Sequence, residues 1–387
     1  TCFNSGANFP THAHAEMLAR RLAKFGVNIM RPHQMDAEWA TPNLFLFNRA
    51  EPKNHTRMFD PESMDRLDYL FACLKNQGIY IYLDMLTYRQ FLPGDEVEAV
   101  DQLPQAAKSY HYFDQRLIEL QKEFNANLWN HVNPYTGLAY KDDPAIALSE
   151  LVNESDLFMQ PPVLEPYRSR LEARYRQWAE EQGLRVSPEK VDFSKPNANM
   201  ARFFQQVMEE YYREMIGHLR EIGVKAPIAG TNWSINLAVT AAQRVADFMD
   251  THMYWNFPLW EGHPEGTSTR PMVAEAENVF RYTAFQSRFD RPLFLSEWDH
   301  AWPDEWRAES PLFYAAIAAF QGWGGVTIHT YRYSDWEPVN RLGGGASTIN
   351  GITYRNHFDS FNDPAKFGLF YHAALLFRRG DVRRAEK

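Results

Sequence analysis

Two glutamates that each follow a short apolar run are the residues of this sequence best suited to chemistry. Glu154 follows the run that begins at Ala145, and Glu297 follows the run that begins at Pro292. Two carboxyl groups can divide acid and base work, because their surroundings can keep one protonated and the other ionised. Such a pair, placed on either side of a bond between two sugars, is the arrangement that cleaves glycosidic linkages. The two glutamates are therefore the candidate catalytic residues.

An alternation of short apolar runs with longer amphipathic runs indicates the elements that must position these residues. No Gly/Ser-rich linker interrupts this alternation. This alternation predicts a parallel sheet wrapped by helices. We expect strands near 6–9, 27–30, 79–83, 145–152, 227–230, 248–254, 293–296 and 326–330, with helices between them, including one capped by Thr11 and one over about 273–288. A length of 387 residues suits one barrel with insertions. The predicted fold class is α/β, a (β/α)₈ TIM barrel forming a single catalytic domain over residues 1–387.

Residues 155–198 stand apart from this alternation. The segment is too long and too charged for an ordinary connection between a strand and a helix. We therefore predict an insertion after strand 4 that lies over the active-site face.

Catalytic groups of a barrel sit at the C-terminal ends of its strands. The polar and aromatic residues at the predicted strand ends are Asn8, Arg31, His33, Asp84, Asn153, Glu154, Trp233, His252, Tyr254, Glu297, Trp298, His329 and Tyr331. Arg31 can keep a neighbouring carboxylate charged, and Tyr254 can donate a hydrogen bond to it. His252 lies two residues before Tyr254, so both side chains share one strand face. Asn153 is suited to bind a sugar hydroxyl.

Composition narrows the classes of partner. The formal net charge is −9, and the sequence has no cluster of lysine and arginine that could bind the phosphates of a nucleic-acid backbone. Nucleic acid is therefore not expected as a partner. No stretch approaches the roughly 20 apolar residues of a membrane span. Aromatic residues make up 15% of the chain, and sugar rings stack on aromatic faces, although core packing accounts for most such residues. Cys2 and Cys73 form neither a disulfide framework nor a metal-ligand spacing. A carbohydrate is the partner that this composition fits.

The chain resembles the clan A retaining glycoside hydrolases, of which family 5, with its cellulase-like catalytic domain, is the best-known member. The resemblance spans nearly the whole chain. It rests on four motifs in order: Gly26 to Arg31 at strand 2, Asn153-Glu154 at strand 4, His252-Met253-Tyr254 at strand 6, and Glu297-Trp298 at strand 7. Four matches on the expected strands carry more weight than any one of them, because Asn-Glu alone is common.

This resemblance implies a role for each matched residue. Glu154 would be the acid/base, Glu297 the nucleophile and Asn153 the contact to the sugar 2-hydroxyl. Arg31 and Tyr254 would support the nucleophile, and His252 would line the same subsite. The implied activity is retaining hydrolysis of β-linked poly- or oligosaccharide by double displacement without a cofactor, in a secreted or periplasmic enzyme.

The sequence also departs from the family 5 pattern at two strand ends. Strand 3 ends in Asp84-Met85-Leu86, where a histidine is often found. Strand 8 offers His329 or Tyr331, where a tryptophan usually forms the floor of the subsite. These departures bear on sugar specificity more than on reaction type.

Competing interpretations remain for these residues. A metal-dependent barrel hydrolase would use His12-Ala13-His14, completed by His33, His252, His300 and His329. However, His12 and His14 fall at a predicted helix start, and strands 4 and 5 supply no clear ligand. A glycan-binding barrel without turnover would keep the same groove. In such a protein Asn153-Glu154 could begin a helix, and Glu297 could pair with Arg31 for structural reasons. The tryptophans expected on the loops of this face are Trp233, Trp255, Trp260, Trp298, Trp302 and Trp336.

Overall fold

The computed structural model describes residues 1–187, 191–233, 236–255, 269–276, 278–288, 290–333, 346–349 and 352–386. Within these ranges, eight parallel strands follow one another along the chain. They are β1 (Cys2–Asn4), β2 (Ile29–His33), β3 (Tyr80–Leu86), β4 (Ile146–Val152), β5 (Ile228–Thr231), β6 (Met249–Trp255), β7 (Leu293–His300) and β8 (Gly325–Ile328). Trp260 and Trp336 lie outside the described residues.

The strands pair in chain order around a cylinder. One ladder joins β1 to β5 and a second joins β6 to β8. Between β5 and β6, the backbone N–H of His252 donates to the Asn232 carbonyl at 3.1 Å. Between β8 and β1, the N–H of Tyr331 donates to the Cys2 carbonyl at 2.9 Å. The (β/α)₈ barrel predicted from the sequence is confirmed.

Helices follow the strands on the outside of the barrel. Those described are α1 (His12–Lys24), α2 (Pro61–Asn76), α3 (Gln115–Asn130), α4 (Tyr167–Glu181), α5 (Ala198–Glu221), α6 (Leu237–Ala242), α7 (Val279–Phe285), α8 (Ser310–Gln321) and α9 (Phe370–Arg379). As predicted, Thr11 caps α1 and accepts a hydrogen bond from the N–H of His14 at 3.3 Å. No helix of the described residues is long and apolar enough to cross a membrane.

Two predicted elements need correction. The first strand is Cys2–Asn4 rather than residues 6–9, because these three residues pair with Arg31–His33, while Ser5–Asn8 form a 3₁₀ turn. The helix expected over about 273–288 is limited to Val279–Phe285 among the described residues.

The segment 155–198 packs beside the barrel wall. Its helix α4 stacks on α5, where the rings of Tyr175 and Phe203 lie 5.2 Å apart and the Trp178 indole donates to Gln206 at 2.9 Å. The hydroxyl of Tyr167 donates to the carbonyl of Glu98 at 2.6 Å. These contacts brace α5 and the loop before α3. That the segment also covers the active-site face stays a prediction.

The interior of the barrel is layered because side chains two residues apart point to the same face of a strand. An apolar layer at the N-terminal end contains Ile29, Tyr82, Leu148, Ala229, Phe248 and Phe294. Two residues further along their strands lie Arg31, Asp84, Glu150 and Asp250, all buried. The site described below forms the next layer, at the C-terminal end.

A β-bulge in β7 decides which residue of that strand faces this layer. Pairing with β6 steps from Thr251–Leu295 to His252–Glu297, so Ser296 is an extra residue. Phe294 faces the barrel interior and Leu295 the surrounding helices. Regular alternation would then turn Glu297 outwards, whereas the bulge turns it inwards.

Candidate active site

Glu154 and Glu297 approach each other at the C-terminal end of the barrel. A carboxyl oxygen of one lies within 4.8 Å of a carboxyl oxygen of the other. Glu154 has a φ of +44°, a left-handed conformation that is uncommon for a residue with a side chain, and its N–H donates to Asn232 Oδ1 at 2.8 Å. Its carboxyl side chain is 20% exposed, whereas that of Glu297 is 3% exposed. The two carboxyl groups therefore face each other, one partly open to solvent and one buried.

Glu297 accepts hydrogen bonds from Arg31 and Tyr254 and lies beside two imidazoles. Arg31 Nη1 donates to Oε1 at 2.6 Å, and His33 Nε2 lies 3.2 Å from the same oxygen. The hydroxyl of Tyr254 donates to Oε2, which also lies 3.1 Å from His329 Nδ1. These contacts favour the ionised form of the carboxyl group.

The electrostatics agree with an ionised Glu297. Burial alone would raise its pKa, but the positive charges that His252, His329, His33 and Arg31 can carry, in that order of effect, hold the pKa of Glu297 well below its ordinary value. Burial lowers the pKa of His329 to about 4 and that of His33 well below its usual range. Both imidazoles are therefore neutral near pH 7, so Arg31 supplies the permanent charge beside Glu297.

His252 links the two glutamates. Its Nδ1 lies 2.8 Å from Glu154 Oε1, and its Nε2 lies 3.0 Å from Ser296 Oγ and 3.6 Å from Glu297 Oε1. Burial alone would lower the pKa of His252, but the two carboxylates outweigh it and raise that pKa. Burial likewise opposes ionisation of Glu154, yet the hydrogen bond from His252 lowers the pKa of Glu154. One proton is thus held on the Glu154–His252 pair.

A second group of buried charges lies directly below this layer. Arg31 Nη2 lies 2.9 Å from Asp84 Oδ2 and 2.9 Å from Glu150 Oε1. The hydroxyl of Tyr82 donates to Glu150 at 3.2 Å and also to Asp250. Burial raises the pKa of Asp84 to about 7, that of Glu150 to about 7 and that of Asp250 to about 8, although Arg31 opposes each shift. Arg31 is therefore surrounded by more carboxyl groups than it can neutralise.

The raised pKa of Glu150 predicts a pH-dependent stability. Because the folded protein holds this proton more tightly than the unfolded chain, ionisation of Glu150 costs stability as the pH rises from about 4.5 through about 7. Glutamine cannot ionise. We expect the free energy of unfolding of Glu150→Gln, relative to the native protein, to increase by about 2 kcal/mol between pH 5 and pH 8 in urea titrations.

The exposed Glu119 provides the control for this experiment, since its side chain is 54% exposed on α3. The curves of Glu119→Gln and the native protein should run parallel over the same pH range. Parallel curves for Glu150→Gln would contradict the raised pKa.

Six predicted binding residues meet around the two glutamates: Arg31, His33, Asn153, His252, Tyr254 and His329. Asn153 Oδ1 accepts from Arg31 at 3.1 Å and from Asn232 at 2.9 Å, and its Nδ2 has no partner among the described residues. Trp233 follows Asn232 and is half-buried.

Two predicted binding residues lie elsewhere. Trp298 is buried against α8, with its ring stacked 4.6 Å from Tyr314, because the bulge that turns Glu297 inwards turns its neighbour outwards. The ring of Tyr331 packs 5.1 Å from that of Phe3, and its hydroxyl accepts from Arg21 on α1 at 3.0 Å. In a strand, His329 and Tyr331 would point to the same face, because they are two residues apart. Strand β8 ends at Ile328, so this rule does not apply to them. Both assignments to substrate binding are corrected.

Among the remaining tryptophans, Trp255 is also buried. Its indole donates to the carbonyl of Arg270 at 3.0 Å, beneath the guanidinium of that arginine. Trp255 therefore contributes to packing.

Sequence reasoning missed Glu150, Asn232 and Lys108. A charged residue inside an otherwise apolar strand was a usable signal for Glu150, which is fully buried. Asn232 precedes the predicted Trp233, and its side chain contacts Glu150, Asn153 and the backbone of Glu154. Lys108 lies in a loop without any pattern, and no sequence signal marks it.

Among the residues that the structure describes, two sets of side chains have the spacing of metal ligands. They are His33, Glu297 and His329, and Glu154, His252 and Glu297, with ligand atoms within 4.8 Å of one another in each set. His12, which the metal hypothesis placed first, and His300, which was to complete the site, are not members of these sets. His12 Nε2 contacts Asp65 at 2.9 Å beside Tyr69, and His300 Nε2 contacts Asp304 at 2.9 Å. Arg31, 2.6 Å from Glu297, disfavours a second cation on that carboxylate.

Solved glycoside hydrolases share this fold. A family 5 mannosidase from Rhizomucor miehei aligns with a TM-score of 0.61 at 13% identity, over 98% of this chain and 92% of that one. An endo-β-1,4-mannanase from Thermotoga petrophila aligns with a TM-score of 0.59 at 16% identity, over 100% of this chain and 77% of that one. A family 5 subfamily 18 protein from Streptomyces cattleya, in complex with GlcNAc, aligns with a TM-score of 0.54 at 13% identity, over 97% of this chain and 77% of that one.

These likenesses define the class of fold. No protein-family model and no curated protein matches the chain at the level of sequence. At such identities the structural likeness concerns the fold alone, and at that level the resemblance to family 5 catalytic barrels is confirmed.

Proposed function

We propose that this protein is a retaining glycoside hydrolase that cleaves β-linked oligo- or polysaccharide by double displacement. The observation that carries the proposal is that a carboxyl oxygen of Glu154 lies within 4.8 Å of a carboxyl oxygen of Glu297 at the C-terminal end of the barrel. Retaining enzymes place their two carboxyl groups about 5 to 5.5 Å apart, whereas inverting enzymes need about 6.5 to 9.5 Å to admit a water molecule. The short separation favours direct attack by one of them.

The electrostatics support a separate role for each glutamate. Glu297 is the nucleophile, because it is buried, ionised and oriented by Arg31 and Tyr254. Glu154 is the acid/base, because it is the more exposed carboxyl group and shares a proton with His252. Glu297 attacks the anomeric carbon while the Glu154–His252 pair supplies the proton to the leaving oxygen. Glu154 then takes a proton from the water that releases the sugar.

Asn153 completes the proposed machinery. Its Oδ1 is held by Arg31 and Asn232, which leaves Nδ2 able to donate to the sugar 2-hydroxyl. Such a hydrogen bond strengthens in the transition state and thereby lowers the barrier. Action on plant or microbial polysaccharide outside the cytoplasm is part of the same proposal.

The test is hydrolysis of a panel of β-linked glycans, with the anomeric configuration of the first product followed by proton NMR. β-1,4-Mannooligosaccharides lead the panel, because the proteins of similar fold include an endo-β-1,4-mannanase and a mannosidase. We expect the β-anomer to appear first and EDTA to leave the rate unchanged. Initial release of the α-anomer would contradict double displacement. Loss of activity in EDTA, restored by zinc, would favour the metal-dependent alternative.

A further inference from the structure

Lys108 is a buried cation that the proposed reaction does not use. It lies in the loop between β3 and α3 and is 7% exposed. Its Nζ sits 4.6 Å from the centre of the Tyr88 ring. Among the residues that the structure describes, no carboxylate forms an ion pair with it. A buried lysine without an anionic partner is costly, since transfer of a charge out of water needs compensation.

The charges of the two glutamates act on this lysine. The carboxylates that act most strongly on its charge are Glu154 and Glu297. Burial lowers the pKa of Lys108, and these carboxylates oppose that shift. Its neighbour Tyr88 lies edge-on to His33, with ring centres 6.1 Å apart, so the ammonium belongs to the wall of the same site.

The loop is held in a conformation that presents this side chain. Ala106, Ala107 and Ser109 have φ angles of +56°, +44° and +69°. Such a conformation is unfavourable for a residue with a side chain and persists only where surrounding contacts enforce it. Ser155 supplies these contacts, because its Oγ accepts from the N–H of Ser109 at 3.3 Å and lies 3.0 Å from His111 Nε2. Ser155 directly follows Glu154, so the loop and the proposed acid/base are fixed to each other.

An aromatic surface adjoins the ammonium. Trp39, which is half-buried, meets Tyr88 in a T-shaped contact with ring centres 4.7 Å apart. Aromatic rings of this kind pack against sugar rings, while a cation at their edge selects a charged substituent. Contact with Glu154 does not explain Lys108, because His252 already makes the hydrogen bond to that carboxyl group.

We propose that Lys108 binds an anionic substituent, a carboxylate or a sulfate ester, on the sugar unit beside Glu154. The substrate class would then be acidic β-linked glycans. This inference rests on the proposed glycoside hydrolase function and specifies its substrate. In the complex with such a substrate, the anionic substituent would pair with the ammonium of Lys108.

The test compares matched substrates. A β-1,4-linked oligomannuronate and its carboxyl-reduced product, a neutral mannooligosaccharide, differ only at C6, which is a carboxylate in the first and a hydroxymethyl group in the second. A sulfated mannooligosaccharide distinguishes a sulfate from a carboxylate. We expect kcat/KM of the native protein to favour one acidic substrate over the neutral one. Lys108→Met should lower that preference about 10- to 100-fold, as expected for loss of a charge-assisted hydrogen bond. Lys108→Arg should retain most of it.

Lys225→Met is the control, since the side chain of Lys225 is 79% exposed. It should leave the preference unchanged. A native protein that favours the neutral substrate, or a Lys108→Met variant with an unchanged preference, would overturn the inference. An equal loss on both substrates would also overturn it, because Lys108 would then act only through Glu154.

Calorimetric binding separates this inference from the proposed function. If the native protein binds oligomannuronate more tightly than its carboxyl-reduced product, and Lys108→Met removes the difference, the inference holds even without turnover. If the neutral substrate is hydrolysed with retention and no preference depends on Lys108, the proposed function holds and the inference fails.

Discussion

Replacing Glu297 with glutamine is expected to lower kcat by about four to six orders of magnitude, the loss typical of removing a catalytic nucleophile. The amide cannot form the glycosyl intermediate, although its oxygen can still accept the hydrogen bond of Arg31, which donates to Oε1 at 2.6 Å. The measurement is steady-state hydrolysis of an activated aryl β-glycoside. Glu119→Gln, on the surface of α3, should retain full activity. Activity of Glu297→Gln near the native level would contradict the assignment.

Azide distinguishes the roles of the two glutamates. In Glu297→Gly, azide can occupy the space of the nucleophile and attack the substrate directly, which would give an α-glycosyl azide. In Glu154→Gly, the intermediate on Glu297 still forms, and its attack by azide would give the β-glycosyl azide. If Glu297→Gly instead gave the β-glycosyl azide and Glu154→Gly the α-glycosyl azide, the roles of the two glutamates would be the reverse of those assigned.

Replacing Arg31 with methionine should have the largest effect on stability. Arg31 is fully buried and contacts Asp84, Glu150 and Glu297 at 2.9, 2.9 and 2.6 Å. Removal of one partner from a buried ion pair costs about 3–5 kcal/mol, because the remaining charge stays buried without compensation. We expect urea unfolding of Arg31→Met to show a loss of this size at pH 7.

A surface ion pair provides the comparison. Arg20 lies 3.6 Å from Glu16, with side chains 63% and 47% exposed, so Arg20→Met should cost far less stability than Arg31→Met. Adding Glu150→Gln to Arg31→Met should restore part of the lost stability, because it removes one uncompensated carboxyl group. Equal losses in the two arginine variants would show that the buried network contributes no more than a surface pair.

Much of the fold could be predicted from the sequence. Apolar runs of strand length alternate with amphipathic helices, and this alternation alone specifies a parallel sheet covered by helices. The same pattern placed Glu154 and Glu297 at the ends of two predicted strands. In the structure Glu154 follows β4, and Glu297 lies within β7, which continues to His300. His252 and Tyr254 were expected on one face of a strand, and in the structure they contact Glu154 and Glu297, respectively. The catalytic roles of these residues stay predictions.

The sequence did not predict which way neighbouring side chains turn. Trp298 was expected beside the substrate and is instead stacked on Tyr314. Glu150 was overlooked because its strand reads as apolar, yet it carries a buried contact with Arg31. A sequence pattern gives the period of an element, whereas the partner of each polar group depends on residues distant in the chain.

The sequence by itself determined the order of the strands, the barrel class and the pair of glutamates, because local periodicity and residue chemistry are sufficient for these. Only the tertiary structure decided that Ser296 bulges so that Glu297 faces inwards, that Glu154 adopts a left-handed conformation, and that Lys108 is buried beside them. The physical reason is that strand register and strained backbone conformations are enforced by contacts across the barrel, such as those of Asn232 and Ser155.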